Sequence, residues 1–134
     1  MLAEEADRLV RDYLAAVEAR DLERARPYLA EGAELIFPGG KRPKDLDQLV
    51  ANSGGRYQKV AKRIEGVDVQ PTAEGAIAYC HGVLYGMWAD GAPFDDVRFV
   101  DRFEIVGGRI ARQWVWNDAG EHRIARLQAQ EAGA

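Results

Sequence analysis

The side chains best suited to moving a proton fall on two apolar segments of this sequence. Between residues 96 and 106 the odd positions are Val97, Phe99, Asp101, Phe103 and Ile105, and the even ones are Arg98, Val100, Arg102, Glu104 and Val106. Side chains alternate between the faces of a strand, so the odd set is expected to be the buried one. Asp101 then sits among apolar neighbours, where desolvation raises a carboxyl pKa and suits the group to general acid or base work. The competing reading is an aspartate neutralised by Arg102 or Arg112, or turned outward by a bulge. A connection of ordinary length at residues 89–93 gives an even pairing and puts His81, Val83 and Tyr85 on the face of Asp101. A histidine oriented by a carboxylate transfers protons near neutral pH. The alternative for His81 is a hydrogen-bonded core or interface residue, and His122 is read as solvent-facing.

The last hairpin decides which further groups join them. A two-residue turn at Gly107 and Gly108 sends Arg112, Trp114, Trp116 and Asp118 inward. A three-residue loop with a bulge pairs Ile105 with Arg109 and sends Gln113, Val115 and Asn117 inward instead. The second is favoured, because it places Gln113 beside Asp101. Trp114 and Trp116 then lie on the outer face as anchors of a homodimer, in keeping with the tryptophan enrichment of interfaces. Asp118 is expected to curl over the cavity mouth, and Tyr57 and Trp88 are lining candidates. Lys41, Arg42 and Lys44 form a basic loop, read as a solvated turn with anionic-ligand recognition as the minor option. The paired glycines at 39–40 and 54–55 lack the strand-to-helix setting of a phosphate loop.

Elements to position these groups are legible on both sides of Tyr57. Leu2, Ala6, Leu9, Val10, Tyr13, Leu14 and Val17 follow helical spacing, predicting a helix over residues 3–19. Asp21 caps a short second helix that Pro27 breaks. Residues 33–37 read as a short strand, and Asp45 opens a third helix that ends near residue 52. Four β-rich segments follow, at 58–70, 76–88, 96–106 and 109–117, with connections short enough for consecutive antiparallel pairing. Residues 121–134 read as a frayed polar tail, with one short helix as the alternative, beyond a core at 1–120. Helices followed by strands is an α+β pattern, in which three helices cover only part of one sheet face and leave an apolar pocket or a subunit contact.

Composition narrows the partners. The 134 residues carry a formal net charge of -4 and one cysteine, Cys80. One domain is expected, with no disulfide framework and no thiolate or histidine-rich metal set. The acidic balance argues against nucleic acid, and an acidic start without a long apolar run argues against a signal peptide or a membrane span, so the protein is expected in the cytoplasm. Eight of the twelve aromatic residues lie beyond residue 78.

The order of elements, Tyr13 on the first helix, Asp21-Leu22-Glu23 opening the second, and the hairpin Arg102-Phe103-Glu104-Ile105-Val106-Gly107-Gly108-Arg109-Ile110 together resemble the nuclear transport factor two-like superfamily, in its SnoaL-like branch. The resemblance implies a cone-shaped α+β barrel around an apolar cavity, often dimeric through its sheet, with no cofactor. Among relatives of that fold, the ketosteroid isomerases carry an oxyanion-hole tyrosine at the position of Tyr13. Their general-base aspartate falls on Phe37 and their second donor on Phe99, so steroid isomerisation by that route is disfavoured. The Arg-x-Asp pair of the epoxide hydrolases has no counterpart in residues 76–88. The acid/base aspartate of SnoaL-like cyclases falls near Asp118. The expected catalytic set is Asp101, His81 and Tyr13, with Phe37, Tyr57, Tyr85, Phe99, Gln113, Asn117 and Asp118 around the pocket. Two functions follow: cofactor-free isomerase, cyclase or dehydratase chemistry on a small hydrophobic molecule, or a non-catalytic ligand-binding or dimerisation module. Fold alone does not choose between them.

Overall fold

In the computed structural model, which describes residues 1–133, the first apolar stripe forms α1 (Ala3–Glu18). Ala6, Val10, Tyr13 and Leu14 are buried where the helix lies on the sheet. Glu4 and Glu5 occupy its first turn, where the helix dipole favours negative charge. Asp21 caps α2 (Leu22–Ala25) by accepting the Arg24 amide at 3.3 Å. Pro27 then diverts the chain into a 3₁₀ turn over Arg26–Tyr28. Asp45 caps α3 (Leu46–Gly54) in the same way, accepting the Gln48 amide at 2.9 Å.

The strands are β1 (Leu29–Ile36), β2 (Tyr57–Pro71), β3 (Gly75–Trp88), β4 (Pro93–Val106) and β5 (Arg109–Asn117). They form one mixed sheet in the order β1-β5-β4-β3-β2, with β1 parallel to β5 and the other pairs antiparallel. β1 starts at Leu29 instead of residue 33, because that residue already pairs with Ile110. β1 and β2 are both edges, so the sheet is an open α+β wall and not a closed barrel. Glu18 covers part of the β2 edge by accepting the Lys62 amide at 2.7 Å. The core between α1 and the sheet includes Phe103, Ile105, Ile110 and Val97, each essentially without exposed surface. Burying side chains of this size stabilises by about 1.5–3 kcal/mol each.

Two one-residue bulges, one in β4 and one in β5, decide which side chains of β3 and β5 share a face with Asp101. Near the β3–β4 turn Met87 faces Pro93 and Gly86 faces Phe94, the even pairing expected from the sequence. Tyr85 then spans both Asp95 and Asp96, and beyond that point Leu84 faces Val97 and Cys80 faces Asp101. At the last hairpin the turn is the two-residue form, with Val106 facing Arg109 and Ile105 facing Ile110. Gly107 and Gly108 have φ of +59° and +78°, which suits the tight turn that glycine enters without steric cost. Ala111 is then extra in β5, so that Glu104 faces Arg112 and Phe103 faces Gln113. The favoured inward facing of Gln113, Val115 and Asn117 is therefore reached, through a bulge at Ala111 and not through a three-residue loop.

Residue 134 lies outside the described residues; the C-terminal segment before it takes the helical alternative and not the frayed tail. It forms α4 (Ala119–Ala132), a helix with no buried residue. Polar contacts hold it: Arg126 pairs with Asp90 in the β3–β4 loop and lies over the Trp88 ring, 5.6 Å from its centroid. His122 packs toward the same ring, with centroids 6.4 Å apart, so it is not simply a solvent-facing side chain. None of the helices is long and apolar enough to cross a membrane among the described residues.

Candidate functional site

A cavity of about 150 Å³ opens between α1, α3, the Phe37–Lys41 turn and the inner face of the sheet. A space of that size takes roughly one six-membered ring. Tyr13, Phe37, Tyr57, Phe99, Gln113 and Asn117 all line it. Trp88 stands behind this wall, stacked on Tyr57 and Phe94 at 5.5 and 4.2 Å between ring centroids.

At its inner end the cavity meets a polar cluster. Asp101 on β4 is wholly buried, and one of its oxygens accepts a hydrogen bond from the Lys62 ammonium at 2.8 Å. Its other oxygen, Oδ1, has no hydrogen-bond partner. Burial raises the Asp101 pKa above the ordinary carboxylate value, while the Lys62 charge and, more weakly, the Gln113 amide pull it back. The Tyr13 hydroxyl donates to Gln113 Oε1 at 3.3 Å, a long bond that a ligand oxygen could replace. Burial, reinforced by the Asp101 charge, pushes the Tyr13 hydroxyl well above its usual pKa and so keeps it a neutral phenol. Phe103 holds the Tyr13 ring edge-on, with centroids 6.2 Å apart. Cys80, opposite Asp101, is pushed up to about 12 by burial and by that carboxylate, which leaves an inert thiol.

Lys62 is the residue that sequence reasoning missed. It lines the cavity while Asp101 does not, and its ammonium lies 5.1 Å from the centroid of the Phe99 ring. It faces inward because it pairs with the buried Leu84. The available signal was the alternation Val60, Lys62, Ile64, which puts a lone cation on an apolar face. The partners considered for Asp101 point elsewhere: Arg102 pairs with Glu104, and Arg112 with Glu34 and Glu104.

Three expected site residues lie outside the cluster. His81 faces Val100 and is exposed on the opposite side of the sheet from Asp101, because the bulge at Asp95 and Asp96 reverses the facing of everything before it on β3. It rests over Gly66, where an added Cβ would come within 2.8 Å of Nε2. Tyr85 is turned outward at the same bulge and carries the Arg63 guanidinium 5.3 Å from its ring centroid. Asp118 does not curl over the mouth. It pairs with Arg98, whose position on the outer face of β4 draws the carboxylate away from the cavity.

The fold has solved counterparts. An NTF2-like protein of unknown function from Burkholderia pseudomallei is similar with a TM-score of 0.72 and 16% identity, over 88% of this chain and 94% of that one. IdmH, a candidate polyketide cyclase from Streptomyces antibioticus, is similar at a TM-score of 0.67 and 17% identity, covering 92% and 98%. A candidate polyketide cyclase from Pseudomonas putida matches at 0.61 and 22% identity, covering 81% and 87%. No protein of curated function matches the sequence. The SnoaL-like domain model matches residues 10–113, a span running from α1 into β5 that contains Tyr13, Lys62, Asp101 and Gln113, and the chain accordingly belongs to the SnoaL-like family.

Proposed function

We propose that the cavity binds a small hydrophobic molecule bearing a carbonyl or hydroxyl group, and that the Lys62–Asp101 pair moves a proton on it without a cofactor, in isomerase, cyclase or dehydratase chemistry. The observation that carries this reading is the buried Asp101 carboxylate held 2.8 Å from a lysine that reaches the cavity. The Lys62 ammonium can donate a proton to a ligand oxygen, and the Asp101 carboxylate holds that ammonium in place. Tyr13, kept as a neutral phenol, and the Gln113 amide supply hydrogen-bond donors for the developing oxyanion.

Deuterium exchange at the α-carbon of 2-tetralone, a small apolar cyclic ketone, tests the reading. The protein is expected to accelerate exchange over buffer, and Asp101→Asn and Lys62→Met each to lose about 10²–10⁴-fold of that acceleration. Binding of the ketone with no acceleration sinks the catalytic assignment. That result would favour a second reading, a ligand-binding module, which is supported by Asp101 contributing no surface to the cavity.

The homodimer belongs to this proposal too. It uses the outer sheet face with Trp114 and Trp116 as anchors: Trp116 is exposed there, and the Arg102 guanidinium lies 4.6 Å from the Trp114 ring centroid.

A further inference from the structure

Among the described residues, seven of the fourteen arginines pair with a carboxylate: Arg11 with Asp7, Arg26 with Glu23 and Asp47, Arg42 with Glu34, Arg98 with Asp118, Arg102 with Glu104, Arg112 with Glu34 and Glu104, and Arg126 with Asp90. What sets Arg20, Lys41 and Arg56 apart from the other unpaired cations is their place on the cavity wall. All three line the cavity, and none has a carboxylate partner among the described residues. Each stands on a fixed stretch of backbone. Arg20 is the one non-glycine residue among those described with positive φ, at +60°, and its guanidinium donates to the Val17 carbonyl at 3.1 Å and the Ser53 hydroxyl at 3.2 Å. Lys41 is set by a tight turn in which its carbonyl accepts the Phe37 amide at 2.7 Å. Arg56 is held by its amide donating to Ser53 at 3.0 Å and its carbonyl accepting from Ala89 at 2.9 Å.

Collecting three unpaired cations in a chain of net charge -4 costs mutual repulsion, and a positive φ at a non-glycine residue adds strain. Glu18 is the one acid on the cavity wall, and its carboxylate is already engaged with the Lys62 amide at 2.7 Å. From this arrangement we infer that the ligand is an anion: an apolar, ring-sized molecule carrying one carboxylate, which the Arg20, Lys41 and Arg56 side chains receive while the ring enters the cavity. Guanidinium groups match a carboxylate in shape and form its strongest hydrogen bonds, and low-dielectric walls focus the positive field at the opening. The basic loop at residues 41–44 thereby acquires a role in recognition through Lys41, while Arg42 is spent on Glu34. The inference rests on the reading of the cavity as a ligand site and names the charge of what enters it.

The test compares 3-(4-hydroxyphenyl)propionate with its methyl ester by titration calorimetry, at low and high salt. The acid is expected to bind about tenfold or more tightly than the ester at low salt, with the advantage shrinking as salt rises. The double substitution Lys41→Gln, Arg56→Gln should bring the acid-to-ester ratio close to one, with circular dichroism confirming an unchanged fold. Equal affinities for acid and ester in the wild type overturn the anionic assignment and leave the cavity reading standing. A ratio that survives the double substitution combined with Arg20→Gln also overturns it, by moving the preference to another cation such as Lys62. If neither compound binds, both readings fall together.

Discussion

The Lys62 ammonium on edge strand β2 reaches 2.8 Å from the carboxylate of Asp101, a side chain with no exposed surface on β4. Strand β3 separates the two in the sheet, so the contact is made across the inner face and closes the inner end of the cavity. Removing one member of a buried ion pair strands the other. Lys62→Met should therefore destabilise the fold by about 3–5 kcal/mol at neutral pH, unless Asp101 takes up a proton and limits the loss. Urea unfolding at neutral and acid pH reads both: a loss that is no smaller in acid would contradict the pairing.

Asp101 also carries a pH signature. Its folded-state pKa is raised, mainly by burial, above the ordinary value of 3.8. The folded protein therefore holds this proton more tightly than the unfolded chain, and the associated stability is complete below the unfolded pKa and lost as pH rises through the folded one. Asp101→Asn lacks this dependence. The unfolding free energy of the wild type relative to Asp101→Asn should fall as pH climbs from the acid range, and a flat difference would mean that burial does not dominate.

Tyr13→Phe removes the hydroxyl that donates to Gln113 at 3.3 Å and leaves a buried amide oxygen without its partner. About 1 kcal/mol of stability should be lost. Exchange of 2-tetralone should slow as well if the phenol assists an oxyanion; unchanged exchange would leave Tyr13 as a core residue only.

His81 lies on the outer face, so His81→Ala should leave ketone binding and exchange as they are and shift stability by no more than about 0.5 kcal/mol. A large loss of exchange activity would restore the histidine to the site. On the same face Trp116→Glu places a charge at an exposed anchor and should shift sedimentation toward the monomer. A wild type that sediments as a monomer at every concentration would remove the dimer.

Gly82→Ala tests the wall itself. A Cβ at Gly82 would fall 2.0 Å from the Arg63 carbonyl oxygen, a contact that only a shift of the β2–β3 ladder relieves. A cost of about 1–3 kcal/mol is expected by urea unfolding, together with weaker ligand binding, since Lys62 rides on the same strand. No change in either would show that the ladder yields freely there.

The sequence by itself determined the alternation that sets Asp101 on one strand face with Val97, Phe99, Phe103 and Ile105, and the structure buries it with them. In the same way helical spacing settled α1, and capping by Asp21 and Asp45 settled where α2 and α3 begin. Only the tertiary structure decided what meets Asp101. One extra residue in a ladder reverses the facing of everything beyond it, and neither Asp95-Asp96 nor Ala111 carries a compositional mark of a bulge. The first bulge took His81 away from the carboxylate, and the second turned Gln113 toward it. Lys62 came from the far side of β3, a non-local meeting that spacing within one segment cannot encode.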